Sequence, residues 1–251
     1  MLPALGAAGR AALAATMRKR PLLAFDFDGT LAQIVARPDD ARLTRAVASR
    51  LEALCARLPL AIVTGRSVAD VRGRLGFVPR YIVGSHGAED EFDPVGSARR
   101  ISVLDPLRIV LASRRRDIER AGVQAEDKQQ SIALHYRLAP DREAARALIG
   151  ELVSAPEAPL RIFPGKMVVN VVSAQAPDKG DAVRALALRC GAASVVFAGD
   201  DLNDEPVFAC AEPDWFTVRV GRDDPGSRAR YCVDGHQEVA LLLECMLSLA
   251  P

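Results

Sequence analysis

Five short apolar runs, at 22–26, 60–63, 81–84, 194–198 and 215–219, alternate with amphipathic stretches at 39–57, 67–75, 178–190, 204–211 and 237–249. Strands that alternate with helices in this way predict a parallel, doubly wound α/β sheet with helices on its faces. Ligands of such sheets bind beyond the carboxyl ends of the strands. Three of the five runs end in polar clusters at that edge. Asp26 and Asp28 follow the first, Thr64-Gly65-Arg66 the second, and Asp200-Asp201 the fourth.

The middle of the chain breaks the alternation. Residues 107–121 read as a helix, 123–127 and 131–138 as strands, 141–153 as a helix, and 160–163 and 166–172 as strands. This αββαββ stretch predicts a smaller α+β domain inserted into the core, with Pro106 and Ala176-Pro177 near the crossings. The expected division is a discontinuous core of 1–106 and 174–251 and an insert of 107–173. An Ala-rich helix precedes the first strand, and 251 residues suffice for both domains.

A formal net charge of +1 offers no bulk attraction for nucleic acid or a membrane surface. The Arg114-Arg115-Arg116 run reads as the solvated face of a helix. Five scattered cysteines form no CxxC pair, so neither a disulfide framework nor a zinc site is expected. No apolar run approaches a membrane span. The basic residues of the first twenty fall in the wrong order for a secretory signal, so a reducing cytoplasm is expected. A monomer is compatible with all of this. Of 33 basic residues only four are lysines, and Lys128, Lys166 and Lys179 fall in motifs taken up below.

Asp26 and Asp28 are two residues apart at a strand end, so they can lie on one side. One can attack while the other handles a proton. Two carboxylates about 4 Å apart repel by roughly 4 kcal/mol at an effective dielectric near 20, which calls for a cation. Read alone, the segment is also compatible with a strand and a plain Asp-Gly turn. The Thr64 hydroxyl and nearby N–H groups can hold a phosphoryl oxygen; Ser67 is able to cap the next helix by itself. Lys179 opens a helix capped by Asp178, where a cation opposes the helix dipole. Gly199-Asp200-Asp201-Leu202-Asn203-Asp204-Glu205 concentrates acid after a buried strand. Asp201 or Asn203 can cap the turn, but capping does not need four acids. Oxygen-only ligands of this kind suit Mg²⁺.

These pieces in this order resemble the haloacid dehalogenase superfamily of phosphatases. The resemblance implies a Rossmann-like core with Asp26 as nucleophile and Asp28 as general acid and base. Thr64 and Lys179 would hold the phosphoryl group. Mg²⁺ would sit on Asp26, the Asp28 carbonyl and Asp200, with Asp201 and Asp204 orienting Lys179 and metal-bound water. A finer resemblance links Gly84-Ser85-His86-Gly87-Ala88-Glu89, Glu126-Asp127-Lys128-Gln129-Gln130-Ser131, His135-Tyr136-Arg137 and Gly165-Lys166-Met167-Val168-Val169-Asn170 to trehalose-6-phosphate phosphatases. It implies a sugar-phosphate substrate and a sugar-gripping cap, with Arg66, His86, Glu126, Lys128, Arg137, Lys166 and Asn170 as substrate contacts. Position 170 departs from the family pattern, which has Glu there. Lys166 and Asn170 share strand parity in this reading, with Met167, Val169 and Val171 on the opposite, core-facing side. Rival readings are the same chemistry on sucrose 6-phosphate or mannosyl-3-phosphoglycerate, or a non-catalytic binding module.

Overall fold

The computed structural model describes residues 1–35, 37–222 and 224–251, and divides into two compact units, Met1–Gly87 with Pro177–Pro251, and Ala88–Ala176. In the larger unit the sheet is parallel. Its strands run in the order Leu2–Pro3, Tyr231–Val233, Phe216–Val220, Val195–Gly199, Leu22–Phe25, Leu60–Val63, Tyr81–Gly84. Because side chains alternate across a strand, each strand feeds two cores. Leu23, Phe25, Leu60, Ile62, Val196 and Ala198 face helices Ala7–Met17, Arg45–Cys55, Val68–Leu75 and His236–Leu249. Leu22, Ala24, Ala61, Val63, Val195 and Phe197 face helices Lys179–Cys190 and Glu205–Cys210. The chain runs outward from Leu22–Phe25 in one direction and returns at Val195–Gly199 on its other side. The switch point of the sheet therefore lies between these two strands.

The smaller unit carries an antiparallel sheet, in the order Gln124–Asp127, Ser131–His135, Val168–Ser173, Leu160–Gly165. Ile132, Leu134 and Val171 on one face pack on Leu107, Ile118, Ala145, Ile149 and Leu152 from helices Asp105–Ser113, Arg115–Arg120 and Arg142–Ser154. The expected single helix at 107–121 is thus two, interrupted at Arg114 (φ −102°, ψ 16°).

The boundaries differ from the expected 106/107 and 173/174, because helix Pro94–Val103 groups with the insert. Its segment is assigned no element from the sequence, with Pro94 and Gly96 close together. Asp93 caps the helix by accepting from the Gly96 N–H at 3.0 Å, and Pro94 occupies the first turn, where its missing N–H costs nothing. Pro106 likewise opens helix Asp105–Ser113 and does not mark a linker.

Phe197 is fully buried in the central strand, edge-on to Phe208 with ring centroids 5.7 Å apart. Truncating a buried Phe costs about 3–5 kcal/mol. Phe197→Ala should lose that much stability in denaturant unfolding followed through Trp215, the single tryptophan, which packs in the same cluster. A loss below about 1 kcal/mol would contradict this packing.

Candidate active site

Two adjacent strands end side by side at the switch point. The Asp26 N–H still donates to the Ala198 carbonyl at 2.9 Å, and Asp200 follows Gly199 on the neighbouring strand. The next helix on that side begins with Lys179, held by a capping box in which Asp178 and Asp181 each accept the other's N–H. That cap satisfies the helix end and leaves the Lys179 side chain to reach inward. Its Nζ donates to Asp26 Oδ1 at 2.7 Å and to Asp204 Oδ1 at 2.7 Å. Asp204 is fixed in turn, its Oδ2 accepting the Asp201 N–H at 3.0 Å.

Asp26, Asp204, Asp200 and Lys179 are all buried. Burial pushes the Asp26 carboxyl well above the usual carboxylate range; Lys179 opposes this, while Asp204 and Asp200 add to it. Burial alone would lower the Lys179 ammonium, but Asp204 and Asp26 outweigh it and raise it. Oxygens of Asp26, Asp200 and Asp204 lie within 4.8 Å of one another. Three carboxylates facing one ammonium leave a surplus of negative charge in a dry site, and the donors are all hard oxygens. The set fits a divalent cation of the Mg²⁺ type. Two glycines make the room: a Cβ on Gly29, which has φ 86°, would fall inside the Asp200 carboxylate, and one on Gly199 would fall inside that of Asp204.

Thr64 ends the strand on the other side of Leu22–Phe25 and is fully buried, its Oγ1 accepting the Arg66 N–H at 3.1 Å. Ser67 caps the following helix by accepting the Asp70 N–H at 3.2 Å, as the sequence predicts. Ser85, His86 and Gly87 form a left-handed turn (φ 49°, 59° and 109°). Two consecutive non-glycine residues in that region carry strain of order 1–3 kcal/mol each. The turn brings the His86 ring onto Gly65, where a Cβ would overlap it, and the His86 N–H onto the Thr64 carbonyl at 2.9 Å.

Two expected placements differ. Arg66 donates through Nε and Nη2 to both carboxylate oxygens of Asp28, each at 2.7 Å, and through Nη1 to Asp70 at 2.7 Å. The side chain assigned to substrate is thus engaged with a neighbour in the site. Asp201 does not reach Lys179 through its carboxylate, which accepts from Leu202 N and Asn203 Nδ2. Its backbone instead holds Asp204.

The family model for trehalose-phosphatase matches residues 24–229. The chain belongs to the trehalose-phosphatase family. A trehalose-phosphate phosphatase of Mycobacterium marinum is 33% identical over 226 residues, 84% of this chain and 56% of that protein. An uncharacterized glycosyl hydrolase of Mycobacterium tuberculosis is 33% identical over 223 residues, 84% of this chain and 17% of that protein. The chain therefore spans about half the length of the first relative and about a sixth of the second. The C-terminal domain of the trehalose-6-phosphate phosphatase of C. albicans has the same fold, at a TM-score of 0.78 with 21% identity over 100% of this chain and 99% of that one. The fold is that of haloacid dehalogenase phosphatases.

In this trehalose-phosphatase chain the smaller unit sets four residues in one row across its sheet. Glu126 is opposite Ala133, Ala133 opposite Asn170, and Asn170 opposite Phe163. Pleating puts the row on the face away from Ile132, Leu134 and Val171. Glu126 Oε2 pairs with His135 Nε2 at 3.0 Å and with Lys128 Nζ at 3.5 Å. The His135 hydrogen bond, ahead of Lys128, holds the Glu126 carboxyl below its ordinary range against the effect of burial. The structure does not bear out the shared parity of Lys166 and Asn170. Lys166 and Met167 form the hairpin turn, with φ 62° and 39% exposure at Met167, so Met167 faces no core. Arg137 lies past the end of its strand at His135 and donates to the Lys166 carbonyl at 3.4 Å. His135 and Phe163 share the row's face, and Phe163 packs there against Ala88, Val172 and Ala176. In Leu160-Arg161-Ile162-Phe163 apolar residues fall on both parities of the strand, with Arg161 on that of Phe163, so nothing in that sequence marks Phe163.

Gly199→Ala should displace the Asp204 carboxylate and weaken divalent-cation binding, measured by titration calorimetry with Mg²⁺, about tenfold or more. Gly73→Ala, where an added Cβ meets nothing within 4 Å, should leave it unchanged. Equal affinities in the two variants would show that the acidic cluster is not the cation site.

Proposed function

We propose that this chain hydrolyses trehalose 6-phosphate to trehalose and phosphate through an aspartyl-phosphate. The observation that carries the reading is the buried Lys179–Asp26–Asp204 arrangement at the switch point of a chain in the trehalose-phosphatase family. In this mechanism Asp26 Oδ attacks phosphorus, and the bond to the sugar oxygen breaks. Asp28 gives that oxygen a proton, then takes one from the water that opens the aspartyl-phosphate. Covalent catalysis splits one hard displacement into two. Thr64 and Lys179 hold the transferring group against developing charge, and Asp204 keeps Lys179 aimed. Mg²⁺ held by Asp26, Asp200 and the Asp28 carbonyl would supply charge neutralisation at the phosphoryl oxygens.

The larger unit, in this reading, carries phosphoryl transfer and the smaller one sugar recognition. Glu126, Lys128, Arg137, Lys166 and Asn170 contact sugar hydroxyls, and His86 lies beside the phosphoryl group. The buried left-handed turn that carries His86 supports this, since such strain persists where the surroundings enforce it. The chain's five cysteines are free, which suits the reducing cytoplasm we assign to it. Among the described residues no helix is long and apolar enough to cross a membrane.

Phosphate release from a panel of sugar phosphates should be greatest for trehalose 6-phosphate. It should stop with chelator, return with Mg²⁺, and be absent in Asp26→Asn. Appreciable turnover by Asp26→Asn would rule out the nucleophile. Asn170, in place of a carboxylate, also supports a different sugar. Hydrogen bonds to charged groups contribute about 1.5–3 kcal/mol against roughly 0.5–1.5 for neutral ones. Asn170→Glu should therefore raise kcat/KM for trehalose 6-phosphate several-fold and leave an aryl phosphate unaffected. A fall would mean that the site is tuned to another disaccharide phosphate.

A further inference from the structure

Arg66, Asp70 and Arg74 are spaced four residues apart, so the last two lie on one stripe of helix Val68–Leu75 and Arg66 sits just ahead of it. Their side chains form a chain of alternating charge that starts at the reaction centre. Asp28 accepts from Arg66 Nε and Nη2, and Asp70 accepts from Arg66 Nη1. Arg74 donates to Asp70 Oδ1 through Nε at 2.8 Å and Nη2 at 2.5 Å. Arg74 is itself tied to the Asp39 carbonyl at 2.8 Å and the Asp39 carboxylate at 3.3 Å. Both arginine side chains are 9% exposed. The Arg66 guanidinium also lies over the Phe27 ring, 5.5 Å from its centroid, and Phe27 is the fully buried residue between Asp26 and Asp28.

A bidentate fork fixes a carboxylate in plane and direction in a way that a single contact does not. Asp28 needs such fixing, because its side chain is 41% exposed and a solvated carboxylate would otherwise rotate. We propose that Arg66 is a positioning residue for Asp28, not a substrate contact, and that Asp70 and Arg74 hold Arg66 in register. The inference rests on the phosphatase reading above and adds a set of residues that act on the reaction only through Asp28. Displacing a reacting group by about 1 Å costs on the order of a hundredfold in rate. Arg66→Gln should therefore lower kcat about a hundredfold with KM within about twofold. Asp70→Asn, which removes one of the anchors, should lower kcat about tenfold.

The test is a double-mutant cycle against Asp28→Asn on the Mg²⁺-loaded full chain. Each single and double variant is assayed on trehalose 6-phosphate and on p-nitrophenyl phosphate, and each is checked for folding by thermal melting. If Arg66 and Asp70 act through Asp28, adding either substitution to Asp28→Asn changes kcat by less than about twofold. Losses that multiply in the double variants, or an Arg66→Gln enzyme with raised KM and intact kcat, overturn the proposal. Arg66→Lys keeps the charge without the fork and should recover less than a tenth of the loss; full recovery overturns the need for bidentate geometry. If none of the Arg66 and Asp70 variants folds, the chain of charges is structural and the proposal fails. The aryl phosphate needs no sugar recognition, so an enzyme that hydrolyses it and spares trehalose 6-phosphate refutes the substrate while the cycle still decides the role of Arg66.

Discussion

The Lys179 ammonium is shared between one oxygen of Asp26 and one of Asp204, and all three side chains are buried. Much of the larger unit serves this contact. The capping box of Asp178 and Asp181 satisfies the helix end that a cation would otherwise disfavour. Gly29 and Gly199 have no side chains where the acids need room. The Asp201 N–H holds the far oxygen of Asp204. Removing one member of a buried charged set costs about 3–5 kcal/mol because the others are left uncompensated. The set therefore persists only as a whole.

Two carboxylates two residues apart acquire different surroundings from this arrangement. Asp26 is buried against Lys179, with its carboxyl raised by burial and by the neighbouring acids. Asp28 lies nearer solvent and against a guanidinium. The two carboxylates are therefore not interchangeable, one meeting an ammonium in the buried acidic cluster and the other a guanidinium at its edge. The surplus of carboxylates around Asp26 suits a divalent cation, since one ammonium does not balance them.

The alternation of apolar runs located all five predicted core strands, because each is buried on both faces and bounded by polar turns. The acids, Thr64 and Lys179 were legible for a related reason. Each follows a strand or opens a helix at the sheet edge where ligands bind, and Lys179 also opposes the dipole of the helix it opens. The strands Leu2–Pro3 and Tyr231–Val233 were not, since two or three residues carry no period. Helix Pro94–Val103 was hidden by the same Pro and Gly signals that mark loops. Lys166 and Arg137 were placed in strands because apolar neighbours extend the pattern, whereas the hairpin turn takes up Lys166 and Met167. The partner of Arg66 was illegible because Asp28 is 38 residues away in sequence and meets it only once the parallel strands are in register.

In the proposed reaction one atom, an Asp26 carboxylate oxygen, bonds to phosphorus. Borohydride added during turnover of trehalose 6-phosphate with Mg²⁺ reduces an aspartyl-phosphate to homoserine at the site where it forms. Peptide mass spectrometry should find that change at residue 26, dependent on substrate and absent in the Lys179→Met variant. Reduction at any other aspartate, or phosphate release at full rate with residue 26 unmodified, would contradict the account.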